Sequence, residues 1–278
     1  MLSDASLYSK HRSLQICNTE IFIASILPKM DWGRSEQEIV MDVGCGPGNS
    51  INHLFLPKLP KANKVVAVDV LPDMIEFAKK NNAHPKIEYF QANVEDRSSL
   101  LQWENGITKI ISIYCFNWLK DQKKAFENIY YVLKPGGEAA LLFILTTPFW
   151  DSYKDHVENP KWNNYLKGVE PHIPESHFNK YGASHYKKML ESIGFIVKVC
   201  DDENRIHAYP NEEDCKVAAL SRCGLTQYIP ESMRAEFKED AFQGLVKYNG
   251  RNSEGKPVLR YTNLTLLIKK PEVKESLF

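Results

Sequence analysis

The sequence predicts an α/β domain built on a doubly wound, mostly parallel sheet of seven strands. From Glu38 onward, short β-like runs alternate with helical segments, and caps or breakers separate the two. Several runs are nearly continuous stretches of valine, isoleucine and other apolar residues. A strand buried on both faces of a parallel sheet reads this way. Alternating β and α units then place helices on both sides of the sheet.

The elements follow in order. Residues Leu7–Asp31 read as a helix leading into the sheet, and the first five strands are Glu38–Val43, Lys64–Asp69, Lys86–Gln91, Ile107–Tyr114 and Glu138–Leu145. Leu71-Pro72-Asp73 opens the helix MIEFAKKN, and Asp121 caps KKAFENIYYVL. Pro135-Gly136-Gly137 ends that helix and turns the chain into the fifth strand. The segment Thr146–Tyr181 breaks the rhythm with Phe149, Trp150, Tyr153, Trp162, Tyr165, Phe178 and Tyr181. It falls where a cover over the carboxyl edge of the sheet is expected. It reads either as a hydrophobic lid or as a helical hairpin packed on the core. A helix at Ala183–Ser192, a strand at Phe195–Cys200, further helices and a last strand at Tyr261–Ile268 complete the pattern. The whole chain, 1–278, reads as one domain: N-terminal helix 7–31, core sheet 38–145 and 183–269, insertion 146–181.

Lysine plus arginine and aspartate plus glutamate both number 35, so the formal charge is zero. Nucleic-acid binders generally carry a basic excess to neutralise phosphates, and this chain has none. The six cysteines form no CxxC pair and read as reduced thiols. No apolar run approaches the roughly 18 to 20 residues of a membrane span. The opening MLSDASLYSKHRS lacks the pattern of a secretory leader, and a cytoplasmic location is expected. A homodimer is left open.

The sharpest local feature is Asp42-Val43-Gly44-Cys45-Gly46-Pro47-Gly48-Asn49, between a strand run and a helical one. Glycines permit positive φ and close approach of a ligand to the main chain. The following helix start presents free N–H groups, and ligands of open α/β sheets bind at the strand ends. A dinucleotide loop would read GxGxxG. Here the spacing is GxGxG, which disfavours a nicotinamide-dependent dehydrogenase. Asp42 would repel a diphosphate but suits a cationic amino-acid moiety, as in S-adenosylmethionine (SAM). Asp69 closes the second run about 20 residues further on, where a carboxylate can accept both ribose hydroxyls. Asn93 and the Val94 N–H, at the end of the third run, offer an adenine edge, although this segment alone reads equally well as a polar turn. Cys45, Val70 and Tyr114 complete the expected cofactor-binding set with Asp42, Gly44, Gly46, Gly48, Asp69, Asn93 and Val94. This is a Rossmann-like arrangement.

VMDVGCGPGN, VVAVD, Asn93 and LKPGG together resemble the class I SAM-dependent methyltransferases. LYSKHRSLQ, FNWLKDQ and the overall length resemble, more narrowly, the insect juvenile hormone acid O-methyltransferase family. That resemblance implies SAM as cofactor and methylation of the carboxylate of farnesoic acid or a juvenile hormone acid, in juvenile hormone biosynthesis. It also implies that Gln15 and Trp118 hold the substrate carboxylate, through donors that orient it without neutralising it. The sequence departs from the family at two positions, where relatives commonly carry Asp for Asn93 and His for Asn117. The second departure leaves two further readings open: transfer to another small acceptor, and a SAM- or terpenoid-binding relative with weak or no turnover.

A carboxylic acid is already ionised at neutral pH, so no general base is needed. No metal, triad or covalent intermediate is expected, and no HxxxH or HExxH spacing occurs. His11 precedes Gln15 by four positions and would share its helix face. A terpenoid tail would need an apolar tunnel, which the aromatic insertion and Met233–Leu245 could wall, although aromatic residues at helical spacing are more often plain core.

Overall fold

The computed structural model describes residues 5, 9, 13–33, 38–59, 61–168, 173–223 and 225–273. Seven strands form one sheet among them: β1 (Glu38–Val43), β2 (Ala62–Asp69), β3 (Ile87–Gln91), β4 (Ile107–Ile113), β5 (Leu133–Thr146), β6 (Ile196–Ala208) and β7 (Val258–Lys269). Their order is β3-β2-β1-β4-β5-β7-β6. β1 to β5 pair in parallel, and β7 runs antiparallel to both β5 and β6. The order reverses between β1 and β4, so their carboxyl ends flank the crevice in which such sheets bind ligands.

The continuous runs are buried as expected. Val40, Val65, Ala67, Ile110, Ile111, Ala139 and Ala140 lose essentially all solvent contact. β6 is the exception, reaching Ala208 rather than Cys200. It is an edge strand whose second half, Asp201–His207, is largely exposed and is held by pairing with β7. Charged edge residues blunt further strand addition, and they also hide the strand from a hydrophobicity pattern.

The helices are α1 (Ser13–Ile26), α2 (Pro72–Asn81), α3 (Gln122–Val132), α4 (Phe149–Glu158), α5 (Asn163–Leu166), α6 (Glu175–Phe178), α7 (Ala183–Ile193), α8 (Glu212–Cys223) and α9 (Arg234–Asn249). The Asp121 side chain accepts from Lys124 N–H at 2.9 Å, capping α3. Pro72 occupies the first turn of α2, where its missing N–H costs nothing. The helical stretch after the glycine loop is short, one wide turn at Ile51–Phe55 followed by Leu56–Lys58. Of the N-terminal helix read over 7–31, residues 7, 8 and 10–12 lie outside the described residues, His11 among them. Among the described residues no helix is long and apolar enough to cross a membrane.

One face of the sheet packs on α1 and α2 through Leu14, Phe22, Val40 and Ile111, and the other on α3 and α7 through Phe126, Ile129, Tyr186 and Leu190. The insertion makes a separate cluster, with Trp162 and Leu166 against Leu225, Ile229 and Phe237. α4 crosses α9 closely enough that a Cβ on Gly244 would lie 2.5 Å from His156 Cε1.

A buried ionic group pins the segment after α1 to the sheet. The Glu138 carboxylate accepts from Lys109 Nζ at 2.8 Å, Lys198 Nζ at 2.6 Å and Asp31 N–H at 2.7 Å. Burial alone would raise its pKa, but these three donors outweigh burial and hold it below the usual range. Removing one member of such a buried group costs about 3–5 kcal/mol. The anchoring contact comes from the chain immediately after α1, the helix that carries Gln15.

Candidate cofactor and acceptor site

β1 delivers Asp42 to the carboxyl edge, and the chain then turns through Gly44, Gly46 and Gly48 at φ of 76°, 54° and 81°. These are left-handed conformations that a Cβ disfavours. A Cβ on Gly44 would overlap the Cys115 side chain, and one on Gly48 would lie 2.6 Å from Tyr89 Oη. Gly44 N–H and Cys45 N–H donate to Val68 O at 2.8 and 3.0 Å, fastening the loop to β2. The carboxylate of Asp69 joins two elements. Its Oδ2 accepts from Gly46 N–H at 2.8 Å and its Oδ1 from Leu71 N–H at 2.9 Å. A carboxylate has about four acceptor sites, so acceptor capacity remains for a ligand.

Two adjoining cavities open at this edge. The larger, about 370 Å³, is lined by Gly44, Gly46, Asp69, Val70, Asn93, Val94, Tyr114 and Trp118 among the residues expected from sequence. The smaller, about 40 Å³, is lined by Gln15, Asp42, Gly44, Cys45, Gly46 and Tyr114. Gly44, Gly46, Ile113 and Tyr114 form the shared wall. Gln15 and Trp118 therefore stand on opposite sides of Tyr114, in different cavities. Gly48 lines neither and packs instead on Tyr89. Sequence reasoning missed Leu71, Met74, Glu95, Cys115 and Leu119 in the larger cavity. The signal for two of them was present, because Leu71 and Met74 are apolar and three apart at the start of the helix that Asp69 introduces.

The walls are acidic. Asp42, Asp69 and Glu95 line the two cavities, and among the described residues no lysine, arginine or histidine does. Burial, with Asp69 nearby, pushes the Asp42 carboxyl up to about 7. Burial also raises Asp69, against its backbone donors. The Cys45 and Cys115 thiols are driven up by burial and by the neighbouring carboxylates, and stay neutral. Phosphate groups would be repelled here, whereas a cationic ligand with a hydroxylated sugar is complemented. The glycine cradle, free acceptor capacity on Asp69 and acidic walls fit SAM. Among the described residues no group of three His, Cys, Asp or Glu side chains is placed to hold a metal ion.

Trp118 ends the short turn Phe116–Trp118. The buried Asn117 amide, oriented with its oxygen toward the indole, accepts from Trp118 Nε1 at 2.9 Å and donates to Tyr114 O at 3.3 Å. Asn93 is likewise engaged, its side-chain oxygen accepting from Glu95 N–H at 2.9 Å. Tyr114, at φ 56°, has its hydroxyl against Asn263 Nδ2 at 3.3 Å. No described residue of the insertion lines either cavity. It reaches the site through Trp150, whose ring meets that of Trp118 edge-on at 5.0 Å. Trp150 Nε1 is buried without a hydrogen-bond partner among the described residues. Met233–Leu245 likewise walls neither cavity. Phe237 joins the cluster of the insertion, and Phe242 and Leu245 join the core beneath α1.

Residues 40–137 match the family described as Methyltransferase domain. The chain is 25% identical over 284 residues to the juvenile hormone acid O-methyltransferase of Drosophila melanogaster, covering 100% of this chain and 96% of that protein. It is 26% identical over 243 residues to the Bombyx mori protein of the same name, covering 86% and 84%. Among solved structures, phosphoethanolamine N-methyltransferase 2 of Haemonchus contortus, in complex with S-adenosyl-L-methionine, superposes with a TM-score of 0.52 at 15% identity. That match covers 96% of this chain and 57% of the other.

Proposed function

We propose that this class I SAM-dependent methyltransferase, which resembles the insect juvenile hormone acid O-methyltransferases, methylates the carboxylate of a small lipophilic acid, farnesoic acid or a juvenile hormone acid. One observation carries the reading: the described lining of the site is walled by carboxylates, and Gln15 and Trp118 are neutral donors within it. Such donors orient an anion that arrives already ionised, as a carboxylic acid does. Similarity to two proteins named for that activity, one of them over the whole of this chain, supports the substrate class.

The chemistry supplied by SAM is a methyl group on a sulfonium, a ready leaving group. The chain contributes the rest. Asp69 accepts the ribose hydroxyls with its remaining acceptor capacity, and Asn93 with Val94 N–H meets the adenine, beside Val70. Asp42 faces the cationic amino-acid end, with Gly44, Cys45, Gly46 and Tyr114 around it, and Gly48 shapes the loop. Gln15 and Trp118 orient the acid from either side. For Trp118 to do so, its N–H passes from the Asn117 amide to the carboxylate, a charged acceptor that makes the stronger bond. Alignment and exclusion of water then account for the rate.

The Asp42 carboxyl, poised near 7, links SAM binding to pH. A cation binds the ionised form, so bound protons compete with it. SAM affinity measured by calorimetry is expected to fall about tenfold from pH 8 to pH 6, and the dependence to vanish in Asp42→Asn. A flat profile in the parent protein would place the cationic group away from Asp42.

The substrate class is tested by methyl transfer from labelled SAM to farnesoic acid, juvenile hormone acids, straight-chain fatty acids and small dicarboxylates. Turnover confined to the terpenoid acids supports the proposal, and preference for dicarboxylates or for non-acid acceptors refutes it.

A further inference from the structure

The glycine loop is gripped from behind by a residue outside every motif of the sequence. Asn82 follows α2 directly and is buried, with its N–H on Ala78 O at 2.8 Å. Its side-chain Nδ2 donates to Pro47 O at 2.7 Å, between Gly46 and Gly48. Its Oδ1 faces His53 Nε2 at 3.0 Å. Because Nδ2 is committed to a carbonyl, Oδ1 must accept, and His53 therefore carries its proton on Nε2. The Asn82 carbonyl in turn accepts from Tyr89 Oη at 2.9 Å, and the Tyr89 hydroxyl fills the space a Cβ on Gly48 would need.

These contacts close a ring. Gly46 is bonded to Asp69, Asp69 holds the start of α2 through Leu71, and the end of α2 returns through Asn82 to Pro47. One ten-residue helix thus braces both the loop and the carboxylate.

We propose that Asn82 is a positioning residue for cofactor binding, its amide setting the path of Gly46–Gly48 with His53 holding the amide in orientation. Asn82 lines neither cavity and touches no reacting atom. Its effect falls on the cofactor and not on the acid or the transfer step. The inference rests on the placement of SAM against the glycine loop.

The test uses Asn82→Asp, which keeps the shape and the acceptor toward His53 but sets an oxygen against Pro47 O. SAM Kd by calorimetry is expected to rise about tenfold, the scale of one lost buried hydrogen bond with its partner left unpaired. At saturating SAM, kcat and the KM for the acid stay within about twofold of the parent. His53→Phe, which frees the amide to rotate, is expected to raise the SAM Kd by a smaller factor with the same split, and it decides the matter if Asn82→Asp does not fold. Unchanged SAM affinity in a folded variant, or equal losses in kcat and in affinity for the acid, overturns the proposal. Failure of the parent protein to bind SAM would instead remove the cofactor placement itself.

Discussion

Asp69→Ala is expected to weaken SAM binding at least about 100-fold, the largest effect of any single substitution in the cofactor site. Hydrogen bonds to a charged acceptor contribute about 1.5–3 kcal/mol each, and two to the ribose are lost together. The substitution also strips Gly46 N–H and Leu71 N–H of their acceptor, so the loop and the start of α2 loosen at once. Asp69→Asn separates the two effects. Its amide oxygen preserves one of the internal bonds while the charge is gone, and its affinity should fall between parent and alanine variant. Calorimetry with SAM measures both. Parent-like affinity in Asp69→Ala would take the ribose away from this carboxylate.

Trp118→Ala is expected to lower kcat/KM for the acid by about 100- to 1000-fold, the usual loss when one oriented donor is deleted from an active site. SAM binding should survive, because the glycine loop and Asp69 are untouched. Two contributions are removed, the indole N–H and the edge-on packing against Trp150. Trp118→Phe keeps the packing and deletes the donor. Similar losses in both variants assign the effect to the N–H, and a Phe variant near the parent assigns it to packing. Retention of full activity in Trp118→Ala would place the acceptor carboxylate elsewhere. The Asn117 amide adds a refinement. Asn117 accepts from the indole N–H, so Asn117→Ala should remove one acceptor that competes with the acid for that donor while costing some order in the Phe116–Trp118 turn.

Much of the fold was legible because its determinants are local. β1 spans the very residues read from EIVMDV, since a strand buried on both faces needs an unbroken apolar run. Asp121 and Pro72 mark helix starts whatever lies around them. The glycine loop and Asp69 were legible for the same reason, being set by backbone conformation and by position at a strand end. What escaped was decided by contacts distant in sequence. β6 continues through Asp201–His207 because β7 pairs with it, and a charged edge strand leaves no periodic trace. The reversed β7 belongs to strand order, which no run of residues encodes. Gln15 and Trp118 line adjoining cavities that share Tyr114, a juxtaposition made by the fold and not by any run of residues. Asn82 carries no motif, and its meaning comes only from the Pro47 carbonyl brought to it by the fold. The aromatic residues of the insertion read more readily as core than as a tunnel wall. Phe149, Trp150 and Tyr153 pack on one another and Trp162 packs on Phe237, and Trp150 also meets Trp118.

The central claim is that a carboxylate is the methyl acceptor. Its most direct measurement is incubation of the protein with methyl-labelled SAM and farnesoic acid, followed by mild alkaline hydrolysis of the product. The account expects label in an apolar product, released as methanol by base, as a methyl ester requires. SAM bound by calorimetry with no base-labile product from farnesoic acid or any juvenile hormone acid would contradict it.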